Sequence, residues 1–319
     1  MKLHCKLKLF FSFILLAFIV ACSNTTIPPN AKSVYSSKMD LLVSTEWLSK
    51  NLDDPNLVVL DSTVYVKSDE NGKVTIVNGR SGYESGHIPS AGFADLMGDL
   101  SGSDGSLDFV MPTPEQFRKT MGALGVSNDS RVVIYSAENP VWAARLWWML
   151  RWVGFDQAAL LDGGLKAWKN EGRPISTELP SRSLGQLSIA LRPELVANHD
   201  EVFAAINNSQ TSIIDALPDA HFRGEFTMYG RPGHIPSATN MPASDLLDKS
   251  GHYKSFDELN MMHKGERNKR AITYCGGGIA ASSVAFTMHR LGYTDVAVYM
   301  GSLQEWIINP ENPMTTKVP

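Results

Sequence analysis

An internal repeat is the feature that most narrowly limits how this chain can fold. The six residues Gly-His-Ile-Pro-Ser-Ala at 86–91 recur unchanged at 233–238. Three further matches accompany them in the same order: 57–61 with 212–216, 131–136 with 270–275, and 164–168 with 302–306. The sequence therefore predicts two copies of one folding unit, at residues 39–178 and 193–319, joined by a linker that contains serine and proline.

Each copy alternates short apolar runs with longer amphipathic runs. Apolar runs such as 131–135 and 270–274 indicate buried strands, and runs such as 141–152 and 282–291 have helical spacing. This alternation predicts an α/β fold, with a mostly parallel sheet flanked by helices in each copy. Active sites in open parallel sheets lie at the carboxyl ends of the strands.

One cysteine stands at such a strand end. Cys275 follows the apolar run 270–274 and precedes three glycines at 276–278. Glycines let backbone N–H groups turn inward, and the helix that follows adds unpaired N–H groups and the positive end of its dipole. Such a nest favours the anionic form of the thiol, so a nucleophilic Cys275 is expected. The alternative is a buried cysteine that packs beneath a glycine turn.

The N-terminus predicts export. Three lysines within the first eight residues precede an apolar run at 9–20, which has the form of a signal peptide. The run ends in Ile-Val-Ala-Cys22, which resembles a bacterial lipobox. This resemblance implies that residues 1–21 are removed and that Cys22 is lipidated. Residues 22–38 read as a flexible tether.

The residue after the lipidated cysteine bears on localisation. Ser23, rather than aspartate, implies a lipid-anchored protein of the bacterial cell envelope, at the outer membrane facing the periplasm. The alternatives are an ordinary secreted protein or an uncleaved anchor. We expect membrane contact only through the lipid.

The cysteine count limits which disulfides and metal sites the chain can form. Cys5 leaves with the signal peptide and Cys22 carries lipid, so only Cys275 remains in the folded part. An internal disulfide is then excluded, and no second thiolate is available for a metal. The net charge of -4 gives no reason to expect nucleic-acid binding.

The ordered repeat, the doubled Gly-His-Ile-Pro motif and the loop that begins at Cys275 resemble the two-domain sulfurtransferases of the rhodanese superfamily. These include thiosulfate and 3-mercaptopyruvate sulfurtransferases, and the resemblance covers nearly all of the mature chain. It implies an active second domain and an inactive first domain, in which Ser136 stands at the cysteine position. The carboxylate of Glu138 would also oppose an anion nest there.

The resemblance implies a mechanism without cofactor or metal. Cys275 takes the outer sulfur of a small donor, becomes a persulfide, and passes the sulfur to a thiol, cyanide or a dithiol protein. We expect a monomer, because the twin domains already form an interface. The backbone N–H groups expected to hold the persulfide are those of Gly276, Gly277, Gly278, Ile279, Ala280 and Ala281.

Departures from the family pattern leave the donor open between thiosulfate and 3-mercaptopyruvate. Thiosulfate enzymes commonly carry basic residues after the cysteine, whereas this chain has Gly276 and Gly277. Mercaptopyruvate enzymes commonly have a threonine where this chain has Ala280. Their substrate-binding arginines precede the second Gly-His-Ile-Pro, which points to Arg223 and Arg231, although His221 stands where one arginine is expected.

Other conspicuous residues are expected to be structural. His87 and His234 recur in both copies, including the copy without a thiol, so we expect them to stabilise turns. Asp61 and Asp215 are expected to hold loops at strand ends. The tryptophans at helical spacing are expected in the core or the domain interface, with the alternative that the first of them lines the cleft. These are Trp142, Trp147, Trp148 and Trp152.

Two other functions are considered. A cysteine phosphatase or arsenate reductase needs an arginine that closes the loop, and Ala281 stands at that position. A non-enzymatic persulfide carrier or redox-sensing lipoprotein is compatible with an intact Cys275 loop.

Overall fold

The computed structural model describes residues 39–70, 74–102, 107–263 and 265–318. The predicted signal peptide, the tether and Cys22 lie outside these residues. Among the described helices, none has the length and apolar character that crossing a membrane requires.

The first copy is built on a five-stranded sheet in the order β1-β7-β6-β2-β5, with every pair parallel. Its elements are β1 (Leu42–Val43), α1 (Thr45–Asn51), β2 (Leu57–Asp61), β3 (Val64–Ser68), β4 (Val74–Asn78), α2 (Arg80–Ser85), β5 (Gly92–Phe93), α3 (Pro114–Ala123), β6 (Arg131–Tyr135), α4 (Val141–Trp152), β7 (Ala158–Leu161) and α5 (Gly164–Asn170). The central strands β2 and β6 are buried almost throughout, because helices cover both faces of the sheet.

The second copy has an equivalent sheet in the order β10-β9-β11-β12-β8, again parallel throughout. Its elements are β8 (Val196–Ala197), α6 (His199–Ala205), β9 (Thr211–Asp215), α7 (Asp219–Phe222), β10 (Thr239–Asn240), α8 (Phe256–Met262), β11 (Arg270–Tyr274), α9 (Ile279–Arg290), β12 (Val296–Tyr299) and α10 (Ser302–Trp306). The two sheets share one strand order, which confirms the predicted fold class of two tandem α/β units.

The strands β3 and β4 form an antiparallel hairpin that the sequence analysis did not predict. It belongs to the first copy and has no equivalent among the described residues of the second. Three of its apolar side chains are partly exposed: Val66 (54%), Val74 (36%) and Ile76 (36%). The hairpin therefore adds an apolar surface that the sheet does not need for its own core.

The helices that follow the two equivalent strand ends pack against each other. Trp147 of α4 meets Phe286 of α9 edge to face, with ring centroids 4.9 Å apart. Arg151 Nη1 lies 3.1 Å from His289 Nε2 on the same pair of helices. Trp148 is also buried and donates from Nε1 to Leu195 O at 2.9 Å. The prediction that these tryptophans belong to the core and the interface is confirmed.

The repeated motif holds a turn in both copies. His87 Nδ1 lies 2.8 Å from Tyr83 O, and His234 Nδ1 lies 2.6 Å from Phe222 O. The His234 ring also stacks on Phe222, with centroids 3.5 Å apart. Because both imidazoles are buried and bound to carbonyls, the structural role predicted for them is confirmed.

The strand-end aspartates hold the next turn. Asp61 Oδ1 accepts from the backbone N–H of Thr63 at 2.9 Å, and Asp215 Oδ1 accepts from that of Leu217 at 2.8 Å. The prediction that they hold loops is also confirmed. Thr63 additionally donates its hydroxyl to Asp61, whereas Leu217 has no hydroxyl to offer Asp215.

Candidate active site

Cys275 lies directly after β11, at the carboxyl end of the central strand of the second sheet. The helical pattern predicted from residue 282 begins earlier, at Ile279, with Gly278 as the N-cap. The loop expected to have six residues is therefore three glycines followed by the first turn of α9. Gly278 has φ +75°, in the left-handed region that favours glycine.

The hydroxyl of Ser302 anchors this loop. Its Oγ accepts from the backbone N–H of Cys275 at 3.1 Å and of Gly278 at 3.0 Å, and it donates to Tyr299 O at 2.6 Å. Ser302 has φ +51°, which is unusual for a residue with a side chain. In the first copy the equivalent position of the repeat is Gly164, which has no hydroxyl. This difference between the copies was the sequence signal for the role of Ser302, which the sequence analysis did not predict.

The start of α10 provides two more contacts. Leu303 N donates to Cys275 O at 3.0 Å, and Gln304 N donates to Gly276 O at 3.0 Å. The carbonyls of the loop are thus held on the side of α10. Within the described part of the chain, no carbonyl or side chain accepts the N–H of Gly276 or Gly277, so these two donors stay available to an anion.

Two of the six predicted persulfide-binding residues are placed differently from expectation. The N–H of Gly278 is used by Ser302, and Ala281 is buried, with its carbonyl accepting from Thr273 Oγ1 at 3.1 Å. Neither residue lines the cleft beside Cys275. The other four do: Gly276, Gly277, Ile279 and Ala280.

That cleft has a volume of about 200 Å³ and takes residues from both copies. The first copy contributes the β3–β4 hairpin, Phe109 and Trp142, which places Trp142 in the wall as the alternative prediction allowed. The second copy contributes the cysteine loop and Tyr229. A Cβ atom at Gly276 would lie 1.9 Å from Tyr229 Oη, so this tyrosine occupies the space that a side chain directly after the cysteine would need.

The two candidate arginines lie elsewhere. Arg223 is exposed, and its Nε donates to Asp219 Oδ2 at 2.7 Å, one helical turn away along α7. Arg231 Nη1 donates to Asn312 O at 2.8 Å. Neither side chain is among the residues that line the cleft, so the structure does not bring these predicted substrate ligands to Cys275.

A different arginine approaches the loop from the first copy. Arg145 lies on α4, is almost fully buried, and donates from Nη2 to Phe109 O at 2.7 Å and from Nη1 to Gly278 O at 3.5 Å. It also contacts Met300 Sδ. Burial lowers the pKa of Arg145 to about 10, while the nearby Cys275 sulfur opposes that shift. A lone arginine in the otherwise apolar run 141–150 was the sequence signal for it.

The first copy lacks the features of the second. Ser136 is buried, and its Oγ has no hydrogen-bond partner in the described structure. A Cβ at Gly164 would lie 2.4 Å from Ser136 O, so a serine like Ser302 could not stand there without a shift. The loop after Ser136 therefore has no thiol and no equivalent of Ser302, and the N–H of Ala137 is instead accepted by Thr63 Oγ1 at 2.8 Å.

Asp215 is a second buried group next to the site. It pairs in register with Tyr274, the residue before Cys275, and its Oδ2 has no hydrogen-bond partner in the described structure. Burial raises the pKa of Asp215 to about 7, against the hydrogen bond from Leu217 N. Burial, and then the Cys275 sulfur, also raise the pKa of Tyr229 well above its ordinary value.

No group of three or more His, Cys, Asp or Glu side chains suited to a metal ion occurs among the described residues. Cys275 shares the cleft with the unpaired N–H groups of Gly276 and Gly277, an arrangement that can support nucleophilic chemistry at sulfur.

Comparison with protein families gives two matches along the chain. The profile described as "Rhodanese-like domain" matches residues 44–171 and 198–309. Each match falls on one copy of the repeat, and together they cover most of the described residues.

Individual relatives match over nearly their whole length. A 3-mercaptopyruvate sulfurtransferase of Escherichia coli K12 is 32% identical over 281 residues, covering 85% of this chain and 96% of the relative. A thiosulfate sulfurtransferase of Gallus gallus is 31% identical, covering 83% and 92%. The sulfur carrier protein TtuD of Thermus thermophilus is 32% identical, covering 84% and 93%.

A solved structure gives the same result. The crystal structure of SseA from Escherichia coli, described with the "Rhodanese" fold and the catalytic mechanism of 3-mercaptopyruvate sulfotransferases, aligns with a TM-score of 0.73 at 31% identity. The alignment covers 83% of this chain and 99% of that chain.

The Ser302 anchor can be tested by removing its hydroxyl. Ser302→Ala leaves two buried N–H donors and one carbonyl without their partner, and each costs about 1–3 kcal/mol. We expect alkylation of Cys275 by iodoacetamide, followed by peptide mass mapping, to slow by about tenfold as the loop loosens. Ser244→Ala, an exposed serine, is the control. A rate within twofold of wild type would show that the loop is held by other contacts.

The raised pKa of Asp215 predicts that the free energy of unfolding depends on pH. Its folded-state pKa lies above the unfolded value, so its contribution to stability is complete below about pH 4 and is lost as pH rises to about 7. Asp215→Asn should therefore gain stability relative to wild type between pH 5 and pH 8, by about 2–3 kcal/mol. Urea unfolding at both pH values measures this.

The control for that experiment is Asp245→Asn, which changes an exposed carboxylate. A difference between Asp215→Asn and wild type that stays constant from pH 5 to pH 8 would contradict the raised pKa of Asp215.

Proposed function

The chain belongs to the rhodanese-like domain family, and from this we propose that it is a sulfurtransferase in which Cys275 carries the sulfur. The proposed donors are those named for its relatives, thiosulfate or 3-mercaptopyruvate. The acceptor is a thiophile: a thiol, cyanide or a dithiol protein. The observation that carries the proposal is the Cys275 loop, held by Ser302 at the edge of a cleft between the copies.

In the first half-reaction the Cys275 thiolate attacks the outer sulfur of the donor. A new S–S bond forms, and the bond between that sulfur and the rest of the donor breaks. With thiosulfate the electron pair leaves as sulfite. With 3-mercaptopyruvate it leaves on carbon, which takes up a proton to give pyruvate. The enzyme is left as the Cys275 persulfide.

In the second half-reaction the acceptor attacks the outer sulfur of that persulfide, and the Cys275 thiolate is released. The N–H groups of Gly276 and Gly277, with the first N–H groups of α9, face the charge that moves between the two sulfurs. Because these donors are already in place, little reorganisation is needed as the charge shifts. Ping-pong kinetics follow from the covalent intermediate.

A second candidate function is persulfide transport without turnover. It is favoured by the relative named as a sulfur carrier protein, at 32% identity. A carrier would accept sulfur on Cys275 but would show no steady-state turnover with small donors and cyanide. An enzyme would show both.

We also propose that the protein is lipid-anchored in the bacterial cell envelope through Cys22. The support is the sequence alone: an apolar run followed by Ile-Val-Ala-Cys22 and then Ser23. The anchor would keep the folded copies at the membrane surface without any spanning helix.

Loading of Cys275 is the direct test of the sulfurtransferase proposal. After incubation with thiosulfate or 3-mercaptopyruvate, the mature protein should gain about 32 Da, the mass of one sulfur, by intact mass spectrometry. Cys275→Ser should gain nothing, and Ser136→Ala should load like wild type. Wild type that stays unmodified with both donors would contradict the proposal.

The anchor has its own test. When the full chain is produced in a Gram-negative host, the mature protein should partition into the Triton X-114 detergent phase, because acyl chains add apolar surface. Cys22→Ser should remain in the aqueous phase or keep residues 1–21. Aqueous partition of the wild-type protein would contradict lipidation.

A further inference from the structure

A cavity of about 440 Å³ lies in the second copy, between the strands β9, β10 and β11, the end of α8 and the end of α9. Among the described residues it shares no lining with the cleft beside Cys275. Ala271, which lines the cavity, comes four residues before Cys275, or about 13 Å of extended chain. The cavity is large enough for a small molecule, since ligand sites commonly enclose about 300–1,000 Å³.

The first copy closes the equivalent position with larger apolar side chains. Val58 pairs with Val132 in the first sheet. The pair at the same register of the second sheet is Ser212 and Ala271. This equivalence comes from the register of the strands and differs by one residue from the match made on the sequence. Both valines are buried, whereas Ser212 is exposed, so the smaller side chains of the second copy leave space that the fold itself does not require.

The linker also packs against the first copy, on the end of α3 and on the loop that follows this helix. Gly185 N donates to Gly122 O at 2.8 Å. Ser188 N donates to Asn128 Oδ1, also at 2.8 Å. Between these two contacts the side chain of Leu187 is buried. A peptide segment thus covers this part of the first copy through backbone hydrogen bonds and one apolar anchor.

The corresponding loop of the second copy does not offer the same contacts to a peptide. Tyr293 Oη donates to Gly265 O at 2.8 Å. Thr294 N donates to Arg267 O at 2.9 Å. Because these carbonyls already have donors from within the second copy, the occupant that the cavity favours is a small molecule rather than an extended chain.

His263 supplies an unused hydrogen-bond acceptor to the cavity. Its side chain is 7% exposed, and its Nε2 lies 3.0 Å from Thr287 Oγ1. That hydroxyl donates to Val284 O at 2.8 Å, so it accepts from Nε2–H, and Nδ1 keeps its lone pair. Nδ1 has no hydrogen-bond partner among the described residues and, unlike His234 Nε2, is not sealed inside the protein. Burial lowers the pKa of His263 to about 4, so the imidazole is neutral at neutral pH.

The rest of the lining is largely apolar. It includes Met241, Met262 and Met288. Methionine sulfur makes favourable contacts with aromatic rings, and the flexible side chain adapts to the shape of a ligand. The two charged residues in the described lining, Glu266 and Lys269, pair with each other at 2.7 Å. These groups suit a ring without a charge.

We propose that this cavity binds an uncharged aromatic molecule of one or two rings that carries an N–H or O–H donor. The donor bonds to Nδ1 of His263, and the ring lies among the three methionines. This binding goes beyond the proposed sulfur transfer and does not depend on it.

Indole and 1-methylindole test the assignment, because they differ in the donor. In isothermal titration calorimetry the mature protein should bind one indole per chain, and 1-methylindole at least about tenfold more weakly, since the methyl group leaves Nδ1 buried without a partner. His263→Met should remove this preference. Met121 of the first copy lies eight residues after the N-cap Thr113, as His263 does after Ser255, so methionine is compatible with this position of the fold.

Filling the cavity should weaken binding. Ser212→Val and Ala271→Val each introduce the residue that the first copy carries at the equivalent position. Each should weaken indole binding by at least about fivefold, because the added methyl groups occupy the space of the ring. Ser212 is exposed, so its substitution keeps the test valid even if Ala271→Val does not fold. Ser244→Val, an exposed serine outside the cavity, is the matched control and should change nothing.

Ile76→Arg separates this cavity from the apolar cleft beside Cys275, which Ile76 lines. Indole binding that Ile76→Arg abolishes and Ser212→Val leaves intact would place the ring in that cleft and overturn the inference. No binding up to about 1 mM, or equal affinity for the two indoles, would overturn it as well. Weaker binding in Ser212→Val with wild-type affinity in Ile76→Arg supports it. Sulfur loading of Cys275 is measured separately, so none of these results alters the proposed function.

Discussion

The backbone conformation between Cys275 and α9 depends on one hydroxyl. Ser302 accepts two N–H bonds from the loop and donates one to Tyr299, so it ties the end of β11 to the turn before α10. Three glycines in sequence would otherwise have many conformations of similar energy. With this contact in place, the N–H groups of Gly276 and Gly277 stay unpaired in the described structure and lie in the same cleft as the cysteine sulfur, where they can hold a charged sulfur.

The two copies have diverged in loops that lie on the same scaffold. Both sheets have the same strand order. In each copy the histidine of the Gly-His-Ile-Pro motif, His87 or His234, holds the turn that precedes the short edge strand β5 or β10. The first copy has Ser136 in place of the thiol and Gly164 in place of the anchoring serine, but it contributes residues to the site. Its α4 packs against α9 and brings the buried guanidinium of Arg145 to the back of the loop. A positive charge there, without a carboxylate among its hydrogen-bond partners, complements an anionic sulfur on the other side of Gly278.

The cleft combines the N–H donors of this loop with apolar walls, and the two act on different parts of a bound molecule. The loop can stabilise one sulfur atom through N–H donors, whichever molecule supplied it. The walls include three side chains of the β3–β4 hairpin of the first copy, and in the proposed reaction they would contact the part of the donor that leaves. Tyr229 closes the space above Gly276, where a basic residue would otherwise meet an anionic donor. We therefore expect donor specificity to depend on the surroundings of the loop as well as on the loop itself.

The sequence alone determined the duplicated α/β architecture, the position of Cys275 at a strand end, and the structural roles of His87 and His234. These follow from periodicity, from the repeat and from local backbone chemistry, which act over short stretches of chain. Only the tertiary structure decided that Ser302 anchors the loop, that Arg145 crosses from the other copy, and that Arg223 and Arg231 point to Asp219 and Asn312. Each of these depends on contacts between residues far apart in sequence or on the direction of a flexible side chain, and neither is encoded in a local pattern.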